Sequence, residues 1–178
     1  KDKGTAIRLV IFSIVGMLAV QYTYMASIDT GNAAIATLLQ YLAPVMIIGW
    51  YVLKRIAPFT KKDFVTVTLA IAGTFLLLTN GSIEALSVPL PSVIWGILSG
   101  VALAFYTLYA IPLLKHWDSL VIVGWAMLLA GITMSLLYQP WNVDVSSWPI
   151  STYFYLFVVI IFGTMLAFWF YIESLQTL

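Results

Sequence analysis

Gln40, Tyr41 and Pro44, with Thr37 one turn earlier, stand inside Ala33–Leu53, a run of 21 residues without a formal charge. These residue types can do hydrogen-bond chemistry at membrane depth. A proline within a helix has no N–H to offer and leaves the carbonyl four residues back, here that of Gln40, without its helical partner. The freed carbonyl, the Gln40 side-chain amide and the Tyr41 hydroxyl then need partners, because lipid supplies none. A simple membrane anchor has no use for such groups. The sequence therefore predicts a helix that lines a polar cavity, held in place by the other segments.

Length and composition set the surroundings of that helix. At about 1.5 Å per residue, the run spans roughly 30 Å, the thickness of a bilayer's hydrocarbon core. The chain is 62% hydrophobic and 8% charged, with a mean hydropathy of +1.03. A soluble domain carries about 25% charged residues, so the fold class is an all-α, polytopic transmembrane helix bundle. Six apolar segments are expected, at about 7–28, 33–53, 63–80, 91–114, 120–138 and 152–174. Cysteine is absent and there is one histidine. That composition excludes disulfides, thiolate sites and His-based metal clusters. No paired acids or Ser–His constellation lies within the spans, so neither an enzyme nor a cofactor or metal is expected. A net charge of +1 without a basic, aromatic-laced cluster gives no reason to expect nucleic acid.

Short links force the segments to cross the membrane alternately. Alternation places all eight Lys and Arg on one side: Lys1, Lys3 and Arg8, then Lys54, Arg55, Lys61 and Lys62, then Lys115. The opposite links hold Asp29, Glu84 and Asp144. The basic side is then cytoplasmic, in a multi-pass protein of the cell membrane. Trp95, Tyr138, Trp141 and Trp148 fall at the outer interface, and Trp50 and Trp117 at the inner one, as an aromatic belt would. Thr60 with Asp63 three residues on reads as a capping signal. Gly96, Gly100 and Ala104 form a stripe that lets a neighbouring helix approach closely.

Helical spacing shows which polar groups share a face. The first segment aligns Ser13, Met17, Gln21, Tyr24 and Ser27, and the second Thr37, Gln40, Pro44 and Tyr51, flanked by Tyr41. The fourth aligns Ser99, Ala102, Tyr106 and Tyr109, and the sixth Thr164, Phe168, Tyr171 and Ser174. These four segments are expected around a cavity, with the third and fifth as buttresses. The expected substrate-binding residues are Gln21, Tyr24, Gln40, Tyr41, Tyr106, Tyr109, Thr164 and Tyr171. Amides, hydroxyls and rings suit a neutral, zwitterionic or aromatic small molecule. Pro44 and Pro112 are expected hinges. Glu173 is the one carboxylate within an apolar segment, which makes it a candidate proton or ion site, although it lies where it can reach water. The plainer alternatives are that Gln21 and Gln40 bridge helices, that Tyr106 and Tyr109 are packing aromatics, and that His116 is a solvated loop residue.

The first and sixth segments resemble each other. Gly16, Tyr24, Ser27 and Thr30 recur as Gly163, Tyr171, Ser174 and Thr177. With alternate crossing these copies point in opposite directions, the pattern of an inverted repeat. The ends, KDKGTAIRL and YIESLQTL, are abrupt, and a piece of a longer protein is expected. The segment beyond Leu178 is then expected to resemble Ala33–Leu53, with a proline matching Pro44.

The run YTYMASIDTGNAAIATLLQYLAPVMIIGWYVLKR, followed by APFTKKD and LAIAGTFLLLT, resembles the first repeat of the EamA-type transporters of the drug/metabolite transporter superfamily. WGILSGVALAFYTLY and FGTMLAFWFYIESL resemble the matching parts of the second repeat. The resemblance implies ten helices in two inverted halves, with this chain holding the third to the eighth. Residues 1–82 would end the first half, 83–90 would form an extracellular linker, and 91–178 would begin the second half. Many members of the family carry an acid after the second of these segments, where this chain has Lys54 and Arg55. The implied function is a secondary permease or exporter moving small metabolites such as amino acids by alternating access. The alternatives are a non-transporting membrane assembly module and a proton-coupled multidrug exporter relying on Glu173. The expected partners are a small-molecule substrate, the lipid bilayer and, as one option, a second copy in a homodimer.

Overall fold

Apolar helices separated by turn-forming residues account for the secondary structure. The structure, a computed structural model, describes residues 3–79 and 88–176. Asn80, Glu84, most of the expected 83–90 linker, Lys1 and the repeat position Thr177 lie outside the described residues. Within them run α1 (Gly4–Thr30), α2 (Ala33–Leu53), α3 (Lys61–Thr79), α4 (Leu90–Leu114), α5 (Ser119–Tyr138) and α6 (Ile150–Ser174). Of these, α1, α2, α4, α5 and α6 are long and apolar enough to cross a membrane. Helix α3 has 19 residues and starts with Lys61, Lys62 and Asp63.

The turns follow their local chemistry. Asn32 caps α2 by accepting from the Ile35 N–H at 3.0 Å, satisfying one of the donors a helix start leaves open. Helix α2 is broken into Ala33–Gln40 and Ala43–Leu53, because Pro44 cannot donate to the Gln40 carbonyl. It ends in a Schellman turn, in which the Ile56 N–H reaches the Tyr51 carbonyl at 2.9 Å and the Arg55 N–H reaches Val52 at 3.0 Å. Arg55 adopts φ 55° to make that turn. Thr60 and Asp63 form the expected reciprocal box: the Thr60 N–H donates to Asp63 at 2.8 Å, and the Asp63 N–H donates back to Thr60 Oγ1 at 3.2 Å.

Helices α1 and α6 have the same internal order. Each changes from α-helix to a π-helical stretch and back. In α1 the pieces are Lys3–Ile11, Phe12–Leu18 and Ala19–Thr30. In α6 they are Ile150–Val158, Val159–Leu166 and Ala167–Ser174. A shift of 147 positions, which lays Gly16 over Gly163, carries Lys3–Ile11 onto Ile150–Val158 and starts both π stretches together. A π stretch inserts a residue into the helical register and turns the faces on its two sides relative to each other.

The chain divides into two compact units, residues 1–18 with 109–178, and residues 19–108. In the first, the N-terminal half of α1 and the C-terminal end of α6 both pack against α5. Helix α5 buries Ile122, Ala126 and Ala130, one residue per turn on a single face, with Val123 beside them. Phe12 and Met17 of α1 are buried in the same unit. In the second unit, the C-terminal half of α1 packs on the first half of α2, and α3 touches both halves of α2. Helix α4 joins them through its small residues. A Cβ on Gly96 would stand 2.5 Å from Leu39 Cδ1, and one on Gly100 would stand 3.1 Å from the Leu39 carbonyl oxygen. Glycine at both positions is what lets α4 lie this close to α2.

Candidate functional site

In the unit formed by residues 19–108, two polar bridges built on expected residues cross between helices. Gln40 sits at the last position before the α2 break, and its Nε2 donates to Ser99 Oγ on α4 at 2.7 Å. Ser99 is fully buried. On the preceding turn, Thr37 gives its hydroxyl proton to the Ala33 carbonyl at 2.7 Å. Tyr24 of α1 contacts Thr37 Oγ1 at 2.8 Å and is therefore the donor in that pair. Gln40, Thr37 and Tyr24 thus tie α2 to α4 on one turn and to α1 on the next. Each group is uncharged, and each keeps further hydrogen-bonding capacity: the Gln40 side-chain carbonyl, its second amide proton and the acceptor lone pairs of Tyr24.

The other expected residues of this unit are placed differently. Gln21 is half-buried on α1. Tyr106 is fully buried on α4. Tyr41, at the α2 break, is 68% exposed. Tyr41 is thus exposed, while its neighbour Gln40 reaches the buried Ser99. Pro44 occupies the first turn after the break, where its missing N–H falls among the donors that any helix start leaves open.

A further interhelical contact in this unit, between Ser27 and Ser92, was not foreseen. Ser27 Oγ donates to the Ser92 carbonyl at 2.8 Å, and Ser92 Oγ donates to the Ser27 carbonyl at 2.9 Å. Both side chains are fully buried. The exchange needs the backbones of α1 and α4 almost in contact, which Gly31 beside Ser92 and Gly96 beside Ser27 permit. Tyr22 and Trp95 stack edge to face on the same pair of helices, with centroids 5.6 Å apart. The two serines have a signal in the sequence only after α1 and α4 are known to be neighbours.

In the other unit, Tyr109 and Tyr171 are half-buried. Thr164 Oγ1 donates to the Val159 carbonyl at 3.1 Å, inside its own π stretch. Pro112 lies within the last turn of α4. Glu173 accepts a hydrogen bond from Ser119 Oγ. Ser119 is the buried first residue of α5, so the carboxylate sits at the positive end of that helix. This arrangement ties the end of α6 to the start of α5, and Ser119 is the partner that sequence reading missed. Among the described residues, no group of three or more His, Asp or Glu side chains could hold a metal ion.

Comparison with known proteins identifies the family. Residues 1–79 and 90–178 match the EamA-like transporter family. An uncharacterized inner membrane transporter of Salmonella typhimurium, YicL, is 36% identical over 178 residues, which cover 99% of this chain and 58% of the relative. The chain therefore spans somewhat over half the length of that relative. No solved structure matches it.

Proposed function

The chain belongs to the EamA-like transporter family, and we propose that it forms part of a secondary transporter that moves small, uncharged or zwitterionic metabolites such as amino acids by alternating access. The observation that carries this reading is the Gln40–Ser99 bridge beside the break in α2. A proline-broken helix with an amide and a hydroxyl at membrane depth resembles the discontinuous helices around which transporter sites are built. The Tyr24–Thr37 pair one turn away adds hydroxyls of the same kind. Gln21, Tyr41 and Tyr106 of the same unit complete the proposed lining there, and Tyr109, Thr164 and Tyr171 are proposed as substrate contacts of the other unit.

The matched π stretches of α1 and α6 support the further proposal that these helices are equivalent members of an inverted repeat within a ten-helix protein. In that reading all six helices cross the membrane and the basic turns are cytoplasmic. Bending is then assigned to the α2 break at Pro44, to Pro112 and to the two π stretches. Glu173 is the proposed proton site, its proton exchange gated by the contact with Ser119.

The test is export of a panel of the twenty amino acids from cells expressing the protein. Gln40→Ala and Ser99→Ala are each expected to lower the rate for transported members by roughly tenfold, about 1.4 kcal/mol of lost interaction, while membrane levels of the protein stay unchanged. Export of the whole panel at the background rate, or unaltered rates in both variants, would overturn the assignment.

A further inference from the structure

The turn between α4 and α5 encloses an open pocket of about 480 Å³, lined by Lys115, His116, Trp117, Asp118, Val121 and Trp125 among others. It belongs to neither polar bridge. Because α4 and α5 are both apolar helices of spanning length, the four residues joining them lie at a membrane surface, whichever side that is. We propose that this pocket binds the headgroup of a phospholipid carrying a primary ammonium group, an ethanolamine phospholipid of the surrounding bilayer.

The charges select that class. Lys115 and Asp118 are both exposed and line the same pocket, so it presents one cation and one anion three residues apart. An anionic headgroup would satisfy Lys115 and leave Asp118 facing a like charge. A zwitterionic headgroup satisfies both, with its phosphate on Lys115 and its ammonium on Asp118. The Asp118 carboxylate is not committed to its own helix, because it precedes α5 without making a capping hydrogen bond. Nor does the positive end of α5 recruit the phosphate, since Glu173 already lies there on Ser119. Glu173 adds a further negative charge nearby and weighs again against an anionic lipid.

The walls indicate a lipid rather than a soluble molecule of the same chemistry. Val121 and Trp125 are one helical turn apart on α5, and both are exposed. Trp125 lies about 9 Å along the helix from Ser119, below a headgroup layer of about 5–7 Å. The pocket therefore runs from charged groups at the surface down to an exposed indole where acyl chains begin. A tryptophan at that depth presents both an apolar face and an N–H. The exposed ring face of Trp125 is also suited to an ammonium group. A choline headgroup offers the same phosphate, but its ammonium has no N–H to donate to Asp118.

The experiment is native mass spectrometry of the purified protein supplied with equal amounts of dioleoyl phosphatidylethanolamine, phosphatidylcholine and phosphatidylglycerol. The ethanolamine lipid is expected to be retained about fivefold over the other two, the scale of one exposed ion-paired hydrogen bond. Asp118→Asn is expected to abolish the preference over choline, whereas Lys115→Gln lowers retention of ethanolamine and choline lipids together. Equal retention of the three lipids by the unaltered protein overturns the proposal, as does either variant behaving like the unaltered protein. Displacement of the lipid by soluble phosphoethanolamine at matched concentration would make this a small-molecule site and also overturn it. A readout that needs no variant is hydrogen exchange over residues 115–125 in nanodiscs. Protection must be greater in ethanolamine than in choline lipid, and equal protection refutes the assignment.

Discussion

Gln40 and Ser99 are the pair on which a single-residue prediction is sharpest. Their hydrogen bond of 2.7 Å joins α2 to α4 inside one unit. Interhelical hydrogen bonds within membranes contribute about 0.6 kcal/mol on average and up to about 1.7. A double-mutant cycle with Gln40→Leu and Ser99→Ala, read from unfolding in mixed detergent, is expected to give a coupling of about 1 kcal/mol, near the middle of that range. A coupling near zero would mean that each group finds another partner when the first is removed. Gln40 was legible in the sequence because an amide in a 21-residue apolar run needs a partner that lipid does not supply, and its bond to Ser99 is also what the plainer expectation of a helix-bridging glutamine describes. The reciprocal pair of Ser27 and Ser92 was not. A serine in a helix can satisfy itself on the carbonyl four residues back, as Ser13 does on Leu9 at 2.7 Å. Its presence on an apolar helix therefore carries no signal until the neighbouring backbone is known. Glu173 stood out as a lone acid, but its partner Ser119 lies 54 residues earlier in the chain, a separation that no periodicity spans.

Elements divide along the same line between local and non-local causes. The capping box of Thr60 and Asp63 and the break before Pro44 follow from residues within four positions of each other, and both were readable. The π stretches of α1 and α6 were not. Their residues, FSIVGML and VIIFGTML, are ordinary membrane-helix sequence, and the extra residue shows only in the backbone. The Schellman turn closing α2 lies between these cases. Its hydrogen bonds are local, but the left-handed position is filled by Arg55 at φ 55° where glycine is the usual choice. An L-residue in that conformation costs roughly 1–2 kcal/mol, part of which glycine returns through its freer unfolded chain. Arg55→Gly is therefore expected to raise stability by about 0.5–1 kcal/mol, measured as a shift of the detergent unfolding midpoint. Arg55→Val is expected to lower it, since a β-branched residue tolerates positive φ least. Arg55→Lys, which keeps the charge and the strain, should leave the midpoint where it is. Were Arg55→Gly to destabilise instead, contacts of the guanidinium would have to outweigh the backbone term.

At the scale of the whole molecule, the open quantity is the number of crossings, and it turns on α3. This helix has 19 residues, begins with three charged ones, and falls outside the five that, among the described residues, are long and apolar enough to span. If α3 crosses, three helices separate the turn after α2 from the turn after α5, and those turns lie on opposite sides. If α3 lies on the surface, two helices separate them and they lie on the same side. The same choice fixes the relation of α1 to α6, which share their α–π–α order: antiparallel in the first case, parallel in the second. Charge favours crossing, because it gathers Lys54, Arg55, Lys61, Lys62 and Lys115 on one face of the membrane and leaves Asp29 and Asp144 on the other. The chain contains no cysteine, so single reporters are unambiguous. Ala57→Cys reports the turn after α2, and Ser147→Cys reports the exposed link before α6. With a membrane-impermeant maleimide, the first is expected to label only from the cytoplasmic side and the second only from the opposite side. Labelling of both from one side would mean five crossings, and the inverted relation of α1 to α6 would be lost even though their internal order is the same.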